Sequence, residues 1–119
     1  MKTISDGERV LEFCMELSRR MILSGASLER VQLAVERICG AYHLSDVSLI
    51  LLNNCISISV MDQDGHYASR QCAIPPAGIQ LERLKALNRM SCTVVEETPP
   101  PEQLKQLLID ASQVRERPD

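Results

Sequence analysis

Nucleophilic chemistry in this sequence would depend on five cysteines and two histidines. A catalytic thiol needs a base that removes its proton, so Cys14 or Cys39 would have to meet His43 or His66 in the fold. None of these residues lies in a recognised motif of a cysteine enzyme, and no GxSxG, HExxH, phosphate-loop or GxGxxG pattern occurs. Small buried thiols are the favoured interpretation, and the sequence predicts no catalytic residue.

Metal binding is not indicated by the cysteines either. Their number is odd, and no two of them have the CxxC spacing that is typical of zinc sites. Most fall at apolar positions of periodic segments, which predicts free, reduced, buried thiols in a cytosolic protein. We therefore predict no metal site and no cofactor. The cysteines are Cys14, Cys39, Cys55, Cys72 and Cys92.

The best candidate for a binding site is the short connection between the first two predicted helices. Gly25 can end the first helix because it lacks a Cβ, and Ser27 can cap the second. Free amides at the start of that helix could receive a carboxylate or phosphate, and Arg30 could add a charged fork. The candidate ligand site consists of Ser24, Gly25, Ser27 and Arg30. A purely structural corner is the favoured interpretation, because Glu29 already occupies the positive end of the helix and Ser27 already caps it.

The elements around this corner follow from hydrophobic spacing. Apolar residues three and four apart predict helices at about 7–24 and 27–43, joined as a tight αα-hairpin. The first helix carries Val10, Cys14, Leu17 and Met21 on its apolar face. Its acidic residues at positions 8, 12 and 16 share another face, which indicates a solvated stripe or, alternatively, a docking surface for a basic partner.

Three strands are predicted after the hairpin. The apolar run Val47–Leu52 favours a strand buried on both faces, and residues 55–60 alternate between an apolar and a small polar face. Residues 66–73 form a third, more polar strand at an edge. Tight turns at Asn53-Asn54 and Asp62–Gly65 make the three strands an antiparallel meander.

Two helices complete the predicted order. Adjacent prolines end the sheet, and a helix follows at about 79–91, with Leu81, Leu84, Leu87 and Asn88 facing inward. Cys92–Val95 is either the frayed end of that helix or a short strand, and Thr98–Glu102 opens the last helix. The order αα-βββ-αα predicts an α+β fold, with helices covering one face of an antiparallel sheet. We expect a single soluble domain over residues 1–119 with its core at about 7–114.

Composition restricts the class of partner. Hydrophobic residues make up 45% of the chain and aromatic residues only 3%, which predicts an aliphatic core and almost no stacking surface for single-stranded nucleic acid. The net charge of -3 argues against general attraction to nucleic acid or anionic lipid. Acidic residues interrupt the first 23 positions, so no signal peptide is indicated, and no apolar run approaches the ~20 residues that span a bilayer.

Several segments, taken in order, resemble the N-terminal region of the threonine/serine exporter family. They are the corner Ser24–Val31 with its two helices, the β-meander, and the run Pro76–Leu84 that leads to Leu87-Asn88-Arg89. The resemblance covers about residues 7–114. The family also includes a split form implicated in the export of dicarboxylates such as succinate.

This resemblance implies a cytoplasmic domain that precedes transmembrane helices, on the cytoplasmic face of the inner membrane. The polar ending at residues 117–119 is similar to the point where the family enters its first membrane segment, so we expect a longer protein. The domain would dock, gate or sense substrate for an exporter of threonine and serine or of dicarboxylates. Its expected partners are the transmembrane region of the same or a partner subunit and the small substrate itself.

Two other functional classes remain open at this stage. One is a free-standing module that binds a small molecule or dimerises, and the other is a small enzyme that uses one cysteine. The exposed third strand would also permit a homo-oligomer through a sheet edge, and the sequence leaves the oligomeric state open.

Overall fold

Helix α1 (Asp6–Leu23) occupies the centre of the computed structural model, which describes residues 6–52, 54–75 and 79–115. It contacts all the other helices and two strands of the sheet. The predicted apolar stripe is confirmed, but burial extends beyond it, because the sheet covers one side of α1 and helices cover the other. The buried side chains of α1 are Val10, Leu11, Phe13, Cys14, Met15, Leu17, Ser18 and Met21.

Helix α2 (Leu28–Ala41) turns back along α1 and completes the predicted αα-hairpin. Its inner face consists of Val31, Val35, Ile38 and Cys39, which pack against α1 in the common hydrophobic core. Both helices end one or two residues inside the predicted limits. The hairpin is therefore the part of the fold that local sequence signals describe best.

The sheet has the predicted meander topology. Strands β1 (Ser45–Leu52), β2 (Cys55–Met61) and β3 (Tyr67–Ala73) lie in the order β1-β2-β3, and both pairings are antiparallel. The alternation in β2 is confirmed, since Ile56, Ile58 and Val60 point toward the helices and are at most 2% exposed. β3 lies at an edge, as predicted. Asn53, in the predicted first turn, lies outside the described residues.

The prediction that β1 is buried on both faces is wrong. None of its eight residues is buried: each is either exposed or intermediate, and Ile50 and Leu52 are 52% and 69% exposed. The helices pack on one face of the sheet, and β1 forms its second edge. A continuous apolar run has the composition of a buried strand, but it does not determine the position of that strand in the sheet.

Helix α3 (Leu81–Glu97) is longer than predicted and begins later. Residues 92–95 are helical, and the helix ends at Thr98, whose φ of +41° lies in the left-handed region. The predicted inward position of Leu81 is wrong, because this side chain is 52% exposed. The predicted inward positions of Leu84 and Leu87 are confirmed, since Leu87 is fully buried and Leu84 packs partly buried against the core. The other buried residues of α3 are Met90, Ser91 and Val94. Residues 76–78, at the predicted end of the sheet, lie outside the described residues.

A 3₁₀ turn at Pro101–Gln103 leads into helix α4 (Leu104–Ser112), so the last predicted helix is also confirmed. Arg20 of α1 fixes the far end of α4, since its Nη1 donates to Ser112 Oγ at 2.7 Å. The four helices and the three-stranded antiparallel sheet together give the predicted α+β architecture. The predicted polar ends of the chain, residues 1–5 and 116–119, lie outside the described residues.

Candidate functional site

The corner between α1 and α2 contacts the segment that enters α3. The amide of Gln80 donates to the carbonyl of Ser24 at 2.9 Å, and Ser24 is fully buried. Gly25 has a φ of +104°, as the sequence predicted for a helix end. A Cβ at this position would lie 3.1 Å from Ile79 Cγ1, so only glycine fits without displacement. Ser24 and Gly25 therefore hold the corner in place.

Ser27 and Arg30 lie on the open side of the same corner. Ser27 has extended backbone angles at the N-cap of α2, and its Oγ accepts a hydrogen bond from the amide of Arg30 at 3.3 Å. The guanidinium of Arg30 is exposed and has no ion-pair partner among the described residues. Of the four predicted site residues, Ser24 is buried, whereas Gly25, Ser27 and Arg30 are exposed, and only the exposed pair Ser27 and Arg30 faces the open side.

The exposed pair lines a groove of about 710 Å³ between α2 and α3. This volume is within the usual range of small-molecule sites, about 300–1,000 Å³. One wall is formed by α2 and its cap, with Ser27, Glu29, Arg30, Leu33, Ala34 and Arg37. The other wall is formed by α3, with Asn88, Ser91, Cys92, Val95 and Glu96.

Charges of both signs lie at the rim of this α2–α3 groove. Arg30 and Arg37 are two helical turns apart on α2, and Glu29 and Glu96 lie on opposite walls. None of the four has an ion-pair partner within the described segments of the chain. Deeper in the groove, Ser91 is 6% exposed and donates from Oγ to the carbonyl of Asn88 at 2.8 Å. The groove thus offers guanidinium donors, carboxylate acceptors and an amide over an apolar floor.

Sequence reasoning found one side of the groove and missed the other. Arg37 could have been found from its spacing of seven residues from Arg30, which places both on the same side of α2. Asn88 was predicted to face inward but could not be assigned to a site, because the packing partner of its helix was unknown, and Glu96 lies beyond residue 91, where the predicted helix ended. The groove depends on a helix pair that is separated by the whole sheet in the sequence.

The cysteines do not form a nucleophilic site with the histidines. Cys14 and Cys39 are both fully buried, with their Sγ atoms 3.9 Å apart. The hydrogen bond with Cys39, together with burial, raises the pKa of the Cys14 thiol, which keeps it protonated at neutral pH. His43 and His66 are exposed, and no hydrogen bond joins either of them to a cysteine among the described residues.

The prediction of mostly buried thiols holds for these two cysteines and fails for others. Cys72 is half-buried and lies 3.3 Å from Met15 Sδ, whereas Cys55 and Cys92 are exposed. The physical reason is that Cys55 lies on the uncovered face of the sheet and Cys92 on the groove side of α3. All five are free thiols.

A group of three potential metal ligands, Asp62, Asp64 and His66, lies in the β2–β3 turn with its ligand atoms within 4.8 Å of one another. The turn itself accounts for this arrangement. Asp62 Oδ1 accepts hydrogen bonds from the amides of Asp64 and His66, both at 2.9 Å. The amide of His66, together with that of Asp64, lowers the pKa of the Asp62 carboxyl.

No helix in the described part of the chain has both the length and the apolar character that a membrane span requires.

Comparison with known proteins identifies a family. The family model for threonine/serine exporters matches residues 12–117, which is most of the chain, including both walls of the α2–α3 groove. No curated protein and no solved structure matches the chain. The family match confirms the resemblance seen in the corner, the meander and the start of α3. The chain therefore belongs to the threonine/serine exporter family.

Proposed function

We propose that this chain is the cytoplasmic N-terminal domain of a membrane exporter of small amino acids or dicarboxylates, and that its α2–α3 groove senses the exported substrate. The observation that carries this proposal is that the rim of the groove has charges of both signs without ion-pair partners among the described residues, in a region that the family match spans. In this role the domain performs no chemistry. Substrate binding instead changes how it docks on, or gates, the transmembrane part of the exporter.

The groove has suitable groups for a zwitterionic amino acid. Arg30 can hold the α-carboxylate by a bidentate contact, reinforced by the amides at the start of α2. Glu96, on the opposite wall, can receive the α-ammonium group. Asn88, on the same wall as Glu96, can bond the side-chain hydroxyl of threonine or serine.

A dicarboxylate would use the same groove differently. Arg30 and Arg37 are about 10 Å apart along the helix axis, and their long side chains can converge on two carboxylates. Glu96 would then be unfavourable rather than helpful, because it carries the same charge as the ligand. The two substrate classes therefore make opposite demands on Glu96.

Binding to the isolated chain tests the proposal. Calorimetric or NMR titration with threonine should give a dissociation constant on the order of 1 mM, as expected for a sensor of an abundant metabolite. Arg30→Ala should weaken binding at least tenfold, since it removes the carboxylate contact. Arg9→Ala is the matched control, because Arg9 is exposed on α1 outside the groove and its loss should leave affinity unchanged.

Glu96→Gln separates the two classes of ligand. It should weaken threonine binding and strengthen succinate binding if both use the groove as described. The substrate-sensing proposal fails if neither ligand binds the folded wild-type chain at tens of millimolar, or if Arg9→Ala and Arg30→Ala have equal effects.

A further inference from the structure

Strand β1 has the composition of a central strand and the position of an edge strand. Five of the six residues from Val47 to Leu52 are apolar, yet none of the strand is buried. Its inward residues Val47, Leu49 and Leu51 are only half-buried, whereas their neighbours in β2 are almost fully buried. The difference arises because β1 has a hydrogen-bonded neighbour on one side only, and no described element lies along its outer edge.

The two edges of the sheet are protected to different extents. β3 carries Arg70, which pairs with Glu12 of α1 at 3.5 Å, and charged residues on an edge strand discourage further pairing. β1 has no charged residue between positions 47 and 52, and its single irregularity is a register shift between Ser45 and Ser48, at one end. Its remaining segment is regular, apolar and uncharged, which is the kind of edge that accepts another strand.

We propose that the β1 edge pairs with β1 of a second copy of this chain. The two strands run antiparallel about a two-fold axis, so that the two meanders join into one six-stranded antiparallel sheet. Such an interface is isologous, because each copy contributes the same segment, residues 48–52, to the other. The half-buried Leu49 and Leu51 then acquire neighbours on both sides, as in a central strand.

The charge distribution makes the β1 edge a surface where two copies can meet with little repulsion. Each chain carries a net charge of -3, so most surfaces of two copies repel each other. The β1 segment is an exception because it has no charge. In an antiparallel arrangement the Asp46 residues lie at opposite ends of the paired strands, roughly 20 Å or more apart, where their repulsion is largely screened.

The area of this contact determines its strength. Stable dimers bury about 800 Å² on each partner, and a single five-residue strand edge supplies less than that. The expected dimer is therefore reversible and dependent on protein concentration. It would be favoured wherever copies are concentrated together. The inference is independent of the groove, since β1 contributes no residue to its walls.

Ile50→Lys tests the inference against a matched control. Ile50 is exposed on the outer face of β1, so a lysine there should not harm the fold but would place like charges close together across the two-fold axis. Gln71→Lys is the control, because Gln71 lies in the same cross-strand row on β3, at the opposite edge. Both changes make the net charge less negative, so general repulsion between copies decreases in each.

Sedimentation velocity over a wide range of concentration should show a monomer–dimer equilibrium for the wild type and for Gln71→Lys. Ile50→Lys should raise the dimer dissociation constant at least tenfold, with an unchanged circular-dichroism spectrum. In the wild type, hydrogen exchange of amides in residues 48–52 should slow as concentration rises, while exchange in β3 stays constant.

Three results would overturn the proposal. The first is a wild-type chain that remains monomeric at a protein concentration of about 1 mM, which corresponds to an association free energy weaker than about 4 kcal/mol. The second is a dimer that Gln71→Lys disrupts as strongly as Ile50→Lys, which would place the contact on the face of the sheet. The third is concentration-dependent protection in β3 instead of β1.

Discussion

Two glycines in this chain differ in whether their position requires the residue to be glycine. Gly25 adopts a φ of +104° against Ile79, whereas Gly40 lies within α2 with nothing within 4 Å of where its Cβ would be. Gly25→Ala should lower the free energy of unfolding by about 1–3 kcal/mol, because alanine is strained at positive φ and would press on Ile79.

Gly40→Ala provides the control for this effect. It should raise the free energy of unfolding by about 0.5–1 kcal/mol, because alanine loses less backbone entropy in a helix. Urea denaturation of both variants and the wild type measures the difference. Equal effects of the two substitutions would contradict the conformational role assigned to Gly25.

Asp62 gives the β2–β3 turn a dependence on pH. Its carboxylate accepts the amides of His66 and Asp64, and its pKa is lowered in the folded state. Because the folded pKa is depressed, the stabilisation is complete above the unfolded pKa of about 3.9 and is lost as pH falls through the folded value. Asp62→Ala should therefore lower the melting temperature at pH 7, and its difference from the wild type should narrow in acid.

Asp64→Ala is the matched control for this measurement. It removes the same charge from the same turn, but no hydrogen bond to the Asp64 carboxylate occurs among the described residues. Its melting temperature should follow the wild type more closely across the pH range. If Asp64→Ala reproduces the pH profile of Asp62→Ala, the effect comes from net charge and not from the turn.

At the scale of elements, β1 and β2 provide a direct comparison. Ile58 on β2 is fully buried, and Ile50 on β1 is 52% exposed. Ile58→Ala should cost about 2–5 kcal/mol of unfolding free energy, because it removes buried methyl groups and leaves a cavity. Ile50→Ala should cost about 1 kcal/mol or less, which is the range of surface strand positions. Chemical denaturation at low protein concentration compares them, and similar losses would contradict the observed position of β1.

The same comparison explains which elements the sequence could predict. The hairpin was predictable because its signals are local: a 3.6-residue period, a glycine at a helix end and a serine cap. The position of β1 was not, since an apolar run indicates burial but not which neighbours provide it. The extent of α3 was left undecided for a related reason. Thr93, Val94 and Val95 have low intrinsic helix preference, and the packing of Val94 and Val95 against the core favours the helix.

At the scale of the whole molecule, the candidate site could be only half predicted. Ser27 and Arg30 follow from the cap of α2, and they line the groove. Ser24 and Gly25 were grouped with them because they are adjacent in sequence, but neither lines the groove. Ser24 is buried and bonded to the amide of Gln80, and Gly25 lies against Ile79. The opposite wall required knowledge that α3 packs beside α2. No local motif indicates this contact, because the three strands separate the two helices in the sequence.

The groove and the β1 edge are both next to helix α2. The groove lies between α2 and α3, and the edge belongs to the sheet on which α2 packs. Helix α2 therefore contacts both the proposed ligand and the strand at the proposed interface. Dimerisation measured with and without threonine would show whether binding at one affects the other, since any such coupling is reciprocal.

The central position of α1 also restricts how the chain can fold during synthesis. α1 is made before its partners, but it is buried by β3 and by α4, which ends at Ser112, some 90 residues later. At translation rates of about 5–20 residues per second, that delay is roughly 5–20 s. During this interval a helix with apolar residues on most of its circumference leaves the ribosome without its cover. We therefore expect the nascent α1 segment to be a binding site for chaperones that recognise exposed apolar side chains.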